Sequence, residues 1–242
     1  MPTDLLRQVW GFDGFRPGQQ EIVEAVAEGR DVLAIMPTGG GKSLCYQVPP
    51  LIDDAPDGKP RTDVVVSPLI ALMEDQVSGL RANGVPAAAL HSGLDEKQQA
   101  KVEADLKAGR LRLLYVSPER LGSTHLVRLL SGVRIGAIVV DEAHCISQWG
   151  HDFRPEYRAL SSLRRRYPDA SLHAFTATAT PRVRDDIVEQ LKLQNPEVLV
   201  GNFDRPNLTY RVLPKDSARK QVLGIIERHR GEAVIVYCLS RK

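Results

Sequence analysis

The sequence predicts an α/β domain, a parallel sheet with helices on both faces, and three observations predict it. Short β-rich runs alternate with helical patterns along most of the chain. Most of those runs are continuously apolar rather than alternating, as strands covered on both faces are. Helix-start signals fall between them. A doubly wound sheet of this kind takes its ligand beyond the carboxyl ends of its strands.

The strands are expected at residues 31–36, 63–67, 113–117, 136–141, 172–176 and 233–238. After the first, a glycine-rich turn leads into a helical pattern over 44–51. Leu69, Leu72, Met73, Val77 and Leu80 then recur at helical spacing, as do Val183, Ile187 and Leu191. Asp95 with Gln98 makes a capping-box pair, and Thr180 before Pro181 supplies an N-cap with a proline at the first helical position. Around Asn195-Pro196 and Asp204-Arg205-Pro206-Asn207 the pattern loosens into a linker. One helical segment, 217–230, and one strand follow it, too little to build a core alone.

The 242 residues divide into between one and two domains at ~150 residues each. Apolar stretches such as 135–140 and 233–239 fall far short of a membrane span, which needs ~18 residues. The start, Met1-Pro2-Thr3-Asp4, has neither the basic nor the apolar region of an export signal. Cys45, Cys145 and Cys238 are odd in number and widely spaced, which argues against a disulfide framework or a cysteine-based zinc site and fits a reducing cytoplasm. Net charge is +2, but residues 201–242 carry nine Lys/Arg against four Asp/Glu. The basic bias thus belongs to the last stretch.

Met36-Pro37-Thr38-Gly39-Gly40-Gly41-Lys42-Ser43 follows the first strand and opens a helix. Glycines let backbone N–H groups converge on an anion, and the helix start adds partial positive charge. Thr38, Gly39, Gly40 and Gly41 are the expected cradle; Lys42 reaches the β/γ-phosphates and Ser43 holds Mg²⁺. Met36 stands where the phosphate-loop pattern has its first glycine. Such a loop needs carboxylates on a neighbouring strand, and Asp141-Glu142-Ala143-His144 follows an apolar run directly. Asp141 suits the metal, through water, and Glu142 the proton of the attacking water. His144 reads as a hydrogen-bonded spacer.

These residues resemble the superfamily 2 helicases. The run Asp141-Glu142-Ala143-His144-Cys145-Ile146-Ser147-Gln148-Trp149-Gly150-His151-Asp152-Phe153-Arg154-Pro155 resembles the RecQ DNA helicases in particular. Gly11-Phe12-Asp13-Gly14-Phe15-Arg16-Pro17-Gly18-Gln19 is similar to the family's adenine-holding motif 0, Ser67-Pro68-Leu69 with Asp75-Gln76 to motif Ia, 117–121 to motif Ib and Thr176-Ala177-Thr178-Ala179 to motif III. Phe203-Asp204-Arg205-Pro206-Asn207 and Val236-Tyr237-Cys238 resemble the entry into a second motor domain. The resemblance implies a RecA-like P-loop domain over 1–200, a linker over 201–214 and the start of a second RecA-like domain over 215–242.

On that resemblance Phe12, Arg16 and Gln19 form the nucleotide's adenine edge, with Gln19 offering a donor and an acceptor and the other two planar faces. Trp149, His151, Phe153 and Arg154, with Tyr157 and Arg158 nearby, form a single-strand contact surface, since aromatics stack on bases and guanidinium groups neutralise phosphate. The resemblance gives this loop the role of reporting DNA occupancy to the ATP site, and gives Thr176 and Thr178 hydrogen bonds between the two. Their bland alternative is β-propensity at a strand end. Arg164-Arg165-Arg166 reads as a solvated helix face.

The implied activity is ATP-dependent 3′–5′ translocation on single-stranded DNA that unwinds duplex in recombination and repair, with single-stranded and forked DNA as partners, ATP and Mg²⁺, no zinc within the chain, no membrane and unknown protein partners. The expected location is cytoplasmic, on the nucleoid in a bacterium. The arginine finger of such motors belongs to motif VI, in a second lobe outside these residues, and contributes ~10³–10⁵ in rate. The chain alone is expected to bind ATP–Mg²⁺, to hydrolyse it poorly and not to unwind. A single-lobe ATP- or DNA-binding module and an RNA helicase remain open; a metabolic P-loop kinase has no use for the aromatic loop.

Overall fold

Seven strands make one parallel sheet: β1 (Val32–Ile35), β2 (Thr62–Val66), β3 (Ala87–Leu90), β4 (Leu113–Val116), β5 (Ile135–Val140), β6 (Ser171–Thr176) and β7 (Glu197–Val200), in the order β3-β4-β2-β5-β6-β1-β7. The computed structural model describes residues 2–52, 61–150, 152–204 and 207–238. The helices are α1 (Pro2–Trp10), α2 (Gln19–Ala27), α3 (Lys42–Gln47), α4 (Pro49–Ile52), α5 (Ile70–Ala82), α6 (Glu96–Lys107), α7 (Pro118–Leu121), α8 (Thr124–Leu130), α9 (Leu163–Arg166), α10 (Pro181–Leu191) and α11 (Ala218–Arg228), with 3₁₀ turns at Ala143–Ile146 and Pro155–Ser162.

The continuous apolar runs have a direct cause. Alternate strand residues point to opposite faces, and both faces are covered. Leu33, Ile35, Val64, Val66, Ile138 and Val140 pack into one layer with Leu106, Leu130, Ile187 and Leu191. Val32, Ala34, Val65, Val139 and Phe175 pack into the other with Leu6, Ile22, Tyr46, Met73 and Leu80. Burial of each such side chain contributes ~1.5–3 kcal/mol.

Both sequence-legible caps form. Asp95 and Gln98 make a reciprocal capping box on α6, and the Thr180 side chain caps α10. The pattern expected over 44–51 is broken instead into α3 and α4, because Pro49 and Pro50 carry no N–H to continue the ladder. Strands β3 and β7 were not expected. β7 lies inside the stretch read as loosening, paired with β1 from Val32↔Glu197 to Ile35↔Val200. Residues 233–238, expected as a strand, are irregular and have no ladder partner among the described residues.

Polar groups pin the amino ends of the strands. Asp31 accepts from the backbone N–H of Leu172 at 2.9 Å and of Gln194 at 2.6 Å, and is ion-paired with Arg164. Arg164 is therefore not on a solvated face, and only Arg165 and Arg166 of that run are exposed. Contacts divide the chain into Met1–Phe203, which contains the sheet, and Asp204–Lys242, which contains α11.

Candidate nucleotide and nucleic-acid site

Strand order brings three chemistry-bearing loops together. β6 lies between β1 and β5, so the carboxyl ends of the strands carrying the phosphate loop, the Thr176 segment and the Asp141-Glu142 pair are neighbours. Met36 N–H donates to the Thr176 carbonyl at 3.0 Å, which seats the loop on β6.

The loop turns through left-handed backbone at Gly39 (φ 77°) and Gly41 (φ 80°), where glycine is needed. Gln19, only 2% exposed, braces it. Its Nε2 donates to the carbonyls of Gly41 at 3.0 Å and Gly40 at 3.3 Å, and its Oε1 accepts from Arg16 N–H at 2.8 Å. Arg16 Nη1 donates to the Gly39 carbonyl at 2.6 Å. The fit is close: a Cβ at Gly41 would lie 2.2 Å from Gln19 Nε2. Lys42 Nζ donates to the Met36 carbonyl at 3.2 Å across the loop. Beside it opens a cavity of about 380 Å³ lined by Phe12, Arg16, Gln19, Lys42, Ser43 and Leu44, with Phe12 51% exposed at its rim. An arene, two cations and a glycine cradle suit a nucleotide. Thr38 is exposed on the same loop.

Asp141 ends β5, its N–H bonded to the Val66 carbonyl at 2.9 Å. Burial, and then the neighbouring Glu142 carboxylate, push its carboxyl up to about 6. A cation there would restore the charged form, which suits the carboxylate expected to serve Mg²⁺. Glu142 adopts left-handed backbone (φ 48°, ψ 44°), a conformation that costs a non-glycine residue ~1–3 kcal/mol and gathers at functional sites. His144 follows it, with Nδ1 3.3 Å from Glu142 Oε2 and 2.8 Å from Thr176 Oγ1. The Thr176 hydroxyl donates to the Thr178 carbonyl at 3.2 Å and accepts from Thr178 N–H at 3.3 Å. The hydroxyl is thus shared between the His144 ring and the Thr178 backbone, and the donor in the His144 contact follows the tautomer of the ring. The spacer expected at His144 is a physical bridge from the acidic pair to the Thr176 loop.

The aromatic loop leaves from the same turn. Trp149 is 59% exposed, and the Arg182 guanidinium from the first turn of α10 lies 3.3 Å from the ring centroid. Arg158 covers the Phe153 ring at 5.1 Å, and Arg154 pairs with Asp152 at 2.9 Å. The two stacked pairs place cations on aromatic faces. A cavity of about 470 Å³ beside them is lined by Gln148, Trp149, Arg158, Asp186 and Gln190. Tyr157 does not belong to this surface. It is fully buried, and its hydroxyl donates to the Asp141 carbonyl at 3.0 Å, a strut between loop and acid. His151 lies outside the described residues. His144, Cys145 and Asp152 bring ring nitrogen, thiol and carboxylate within 4.8 Å of one another. Arg154 already pairs with that carboxylate, and burial pushes the thiol up to about 12, so the cluster reads as a hydrogen-bonded latch.

Residues 16–187 match the family model described as DEAD/DEAH box helicase. The chain belongs to the DEAD/DEAH box helicases. It is similar to the ATP-dependent DNA helicase RecQ of Pasteurella multocida, 45% identical over 238 residues, covering 98% of this chain and 37% of that protein. To the RecQ of Haemophilus influenzae it is 45% identical over 242 residues, covering 99% and 38%. The helicase chain thus spans about two fifths of these relatives' length. The crystal structure of the DUF1998 helicase MrfA matches at TM-score 0.75 and 20% identity over 99% of this chain and 38% of that one. That likeness and the parallel sheet give the expected RecA-like helicase domain. In this helicase domain, sequence reasoning missed Arg182 as the partner of Trp149 and Tyr157 as a strut. The signal for Arg182 was available, since Pro181 fixes the helix start that presents it. No helix among the described residues is long and apolar enough to cross a membrane.

Proposed function

We propose that this chain is the nucleotide-binding lobe of a RecQ-type, ATP-dependent 3′–5′ DNA helicase acting in recombination and repair. Residues 1–200 form that lobe, 201–214 a linker, and 215–242 open a second RecA-like domain. The observation that carries the reading is the continuous connection from Glu142 through His144 to Thr176 and through Asp141 and Tyr157 to the aromatic loop. A site that hydrolysed nucleotide for small-molecule chemistry would have no use for that path.

ATP fits the cavity with its base against Phe12 and Arg16 and its phosphates over Gly39, Gly40, Gly41 and Lys42. Gln19 bonds both Arg16 and the loop, so it transmits the position of one to the other. Ser43 and Asp141 would hold Mg²⁺, which would supply charge to the phosphate oxygens. Glu142 takes the proton of the attacking water, and the His144 ring, 3.3 Å from its carboxylate, bounds where that carboxylate lies. Single-stranded DNA runs over Trp149, Phe153 and Arg154, with His151 in the same loop, and Thr176 and Thr178 carry its effect to Glu142. Stacking of this kind contributes ~1–3 kcal/mol per base. The work is done on DNA, in the cytoplasm, and on the nucleoid if the cell is bacterial, with single-stranded and forked DNA as partners.

The test is binding by this chain of a fluorescent ATP analogue with Mg²⁺ and of labelled oligo-dT and oligo-rU. The analogue binds, Lys42→Ala loses at least about tenfold in affinity, equivalent to 1.4 kcal/mol, and Trp149→Ala weakens oligo-dT without touching nucleotide affinity. Absence of nucleotide binding overturns the reading, and preference for oligo-rU overturns its DNA side.

A further inference from the structure

Beneath the phosphate loop lies a second line of polar groups that no part of this mechanism uses. Gln47, at the end of α3 and buried, spends both amide hydrogens inside the protein: Nε2 donates to Gln76 Oε1 of α5 at 2.6 Å and to Tyr115 Oη of β4 at 2.9 Å. The helix α3 that carries Gln47 starts at Lys42 of the phosphate loop, and Tyr46 and Tyr115, each 1% exposed, lie in the same buried layer. The line therefore runs from the phosphate loop along α3 to a buried amide, and from there to a buried hydroxyl of β4 and the middle of α5. The Tyr46 ring also packs edge-on against Phe175, 5.1 Å between centroids, one residue before Thr176.

Nothing in packing requires these groups to be polar. Phe at 115 and an aliphatic residue at 47 would fill the same apolar layer without desolvating a hydroxyl and an amide. A buried hydrogen-bonded bridge instead fixes one arrangement of the elements it joins. The ends of the line are informative. Ser43, in the first turn of α3, is where phosphate and Mg²⁺ would fit, while Gln76 sits on α5, the helix that follows the exposed Leu69 of the Ser67-Pro68-Leu69 segment. A shift of the loop on nucleotide binding moves the start of α3, and Gln47 at its other end passes that shift to its two partners.

We propose that Gln47, Tyr115 and Gln76 are positioning residues forming a buried relay that carries occupancy of the phosphate loop along α3 to α5, a route separate from the aromatic loop. The inference rests on the nucleotide reading above.

The test follows backbone hydrogen exchange of residues 70–82 in this chain, without and with saturating ATPγS and Mg²⁺, while nucleotide affinity is measured on the same samples. Loading slows exchange in α5 by about fivefold or more, the low end of ordinary allosteric coupling. In Tyr115→Phe, which keeps the ring, and in Gln76→Leu, at a half-buried position, the response is lost while nucleotide still binds. Gln76→Glu, which keeps an acceptor for Gln47, retains it. A merely structural role for Gln76 would not separate Leu from Glu in this way. An unchanged response in both variants, or none in the parent chain with nucleotide bound, overturns the relay and leaves the nucleotide reading standing. Failure of nucleotide to bind at all overturns both.

Discussion

Gln19 shows how the fold directs the chemistry of one side chain. Its residue type suggests adenine recognition, since an amide offers both a donor and an acceptor. The structure puts that buried amide against the carbonyls of Gly40 and Gly41 and the N–H of Arg16, so it sets the shape of the phosphate loop. That bracing was not legible in the sequence, because it depends on a 22-residue separation closed only by the fold. Trp149 and Phe153 were legible as aromatics in a basic loop, but nothing in the sequence distinguishes them from Tyr157, which folds inward onto Asp141. Gly41 tests the brace. Alanine there meets left-handed backbone at φ 80° and a contact of 2.2 Å with Gln19 Nε2, and the backbone alone costs ~1–2 kcal/mol. Gly41→Ala is expected to weaken nucleotide binding by at least about tenfold, equivalent to 1.4 kcal/mol, while the protein still folds and melts roughly 2–8 °C below the parent. Calorimetric titration with an ATP analogue beside a thermal melt checks this, and full affinity would show that the loop does not need Gln19 in place.

At the scale of elements, legibility followed apolar content. β2 and β5 are rich in valine and isoleucine and stand out. β3 reads Ala-Ala-Ala-Leu, a composition with little strand propensity, and forms because β4 offers a ladder. β7 is missed for a related reason: it is an edge strand with partly exposed side chains and carries only a weak pattern. Residues 233–238 show the converse, a good strand pattern with no ladder to join among the described residues. Gly136 in β5 looks at first like a weakness in a strand. A Cβ there would lie 2.5 Å from Arg61 Cδ and 2.6 Å from Asp63 Oδ1, where Arg61 pairs with Asp63 at 3.3 Å and Asp63 accepts from Ala137 N–H at 3.0 Å. The glycine makes room for that buried pair. Gly136→Val therefore displaces a buried ion pair and is expected to destabilise the protein by roughly 3 kcal/mol, read as a shift in the urea midpoint with unchanged slope. A shift under about 0.5 kcal/mol, the level of an ordinary surface substitution, would show that the strand accommodates a side chain there.

The whole molecule separates two kinds of polar group along its strands. Carboxyl ends carry the groups assigned to chemistry, and amino ends carry Asp31, Arg61, Asp63 and His173, which hold the sheet together. His173 is fully buried in β6, with Nε2 2.8 Å from Ser171 Oγ. Burial pushes its imidazole down to about 3; Arg61 and Arg164 act in the same direction and Asp31 opposes them. A depressed folded-state value means that the stability contributed by the neutral ring is present above the unfolded value of ~6.5 and is lost as pH falls toward the folded one. Asp63, pushed up to about 6 by burial against the pull of Arg61, runs the other way, contributing most below its unfolded value and losing that contribution as pH rises through 6. Asp141 shares that sign. The raw pH profile therefore mixes opposing contributions, and the informative quantity is a difference between two proteins that share the carboxylates. His173→Leu gives up the Nε2 bond to Ser171 together with a buried Nδ1 that has no partner among the described residues, and it removes the group that acid protonates. Between pH 7 and pH 4.5 the stability gap is expected to move in favour of the variant by on the order of 2 kcal/mol, measured by urea unfolding of both proteins at each pH. A gap of equal size at the two pH values would mean that His173 gains its proton as readily in the fold as outside it.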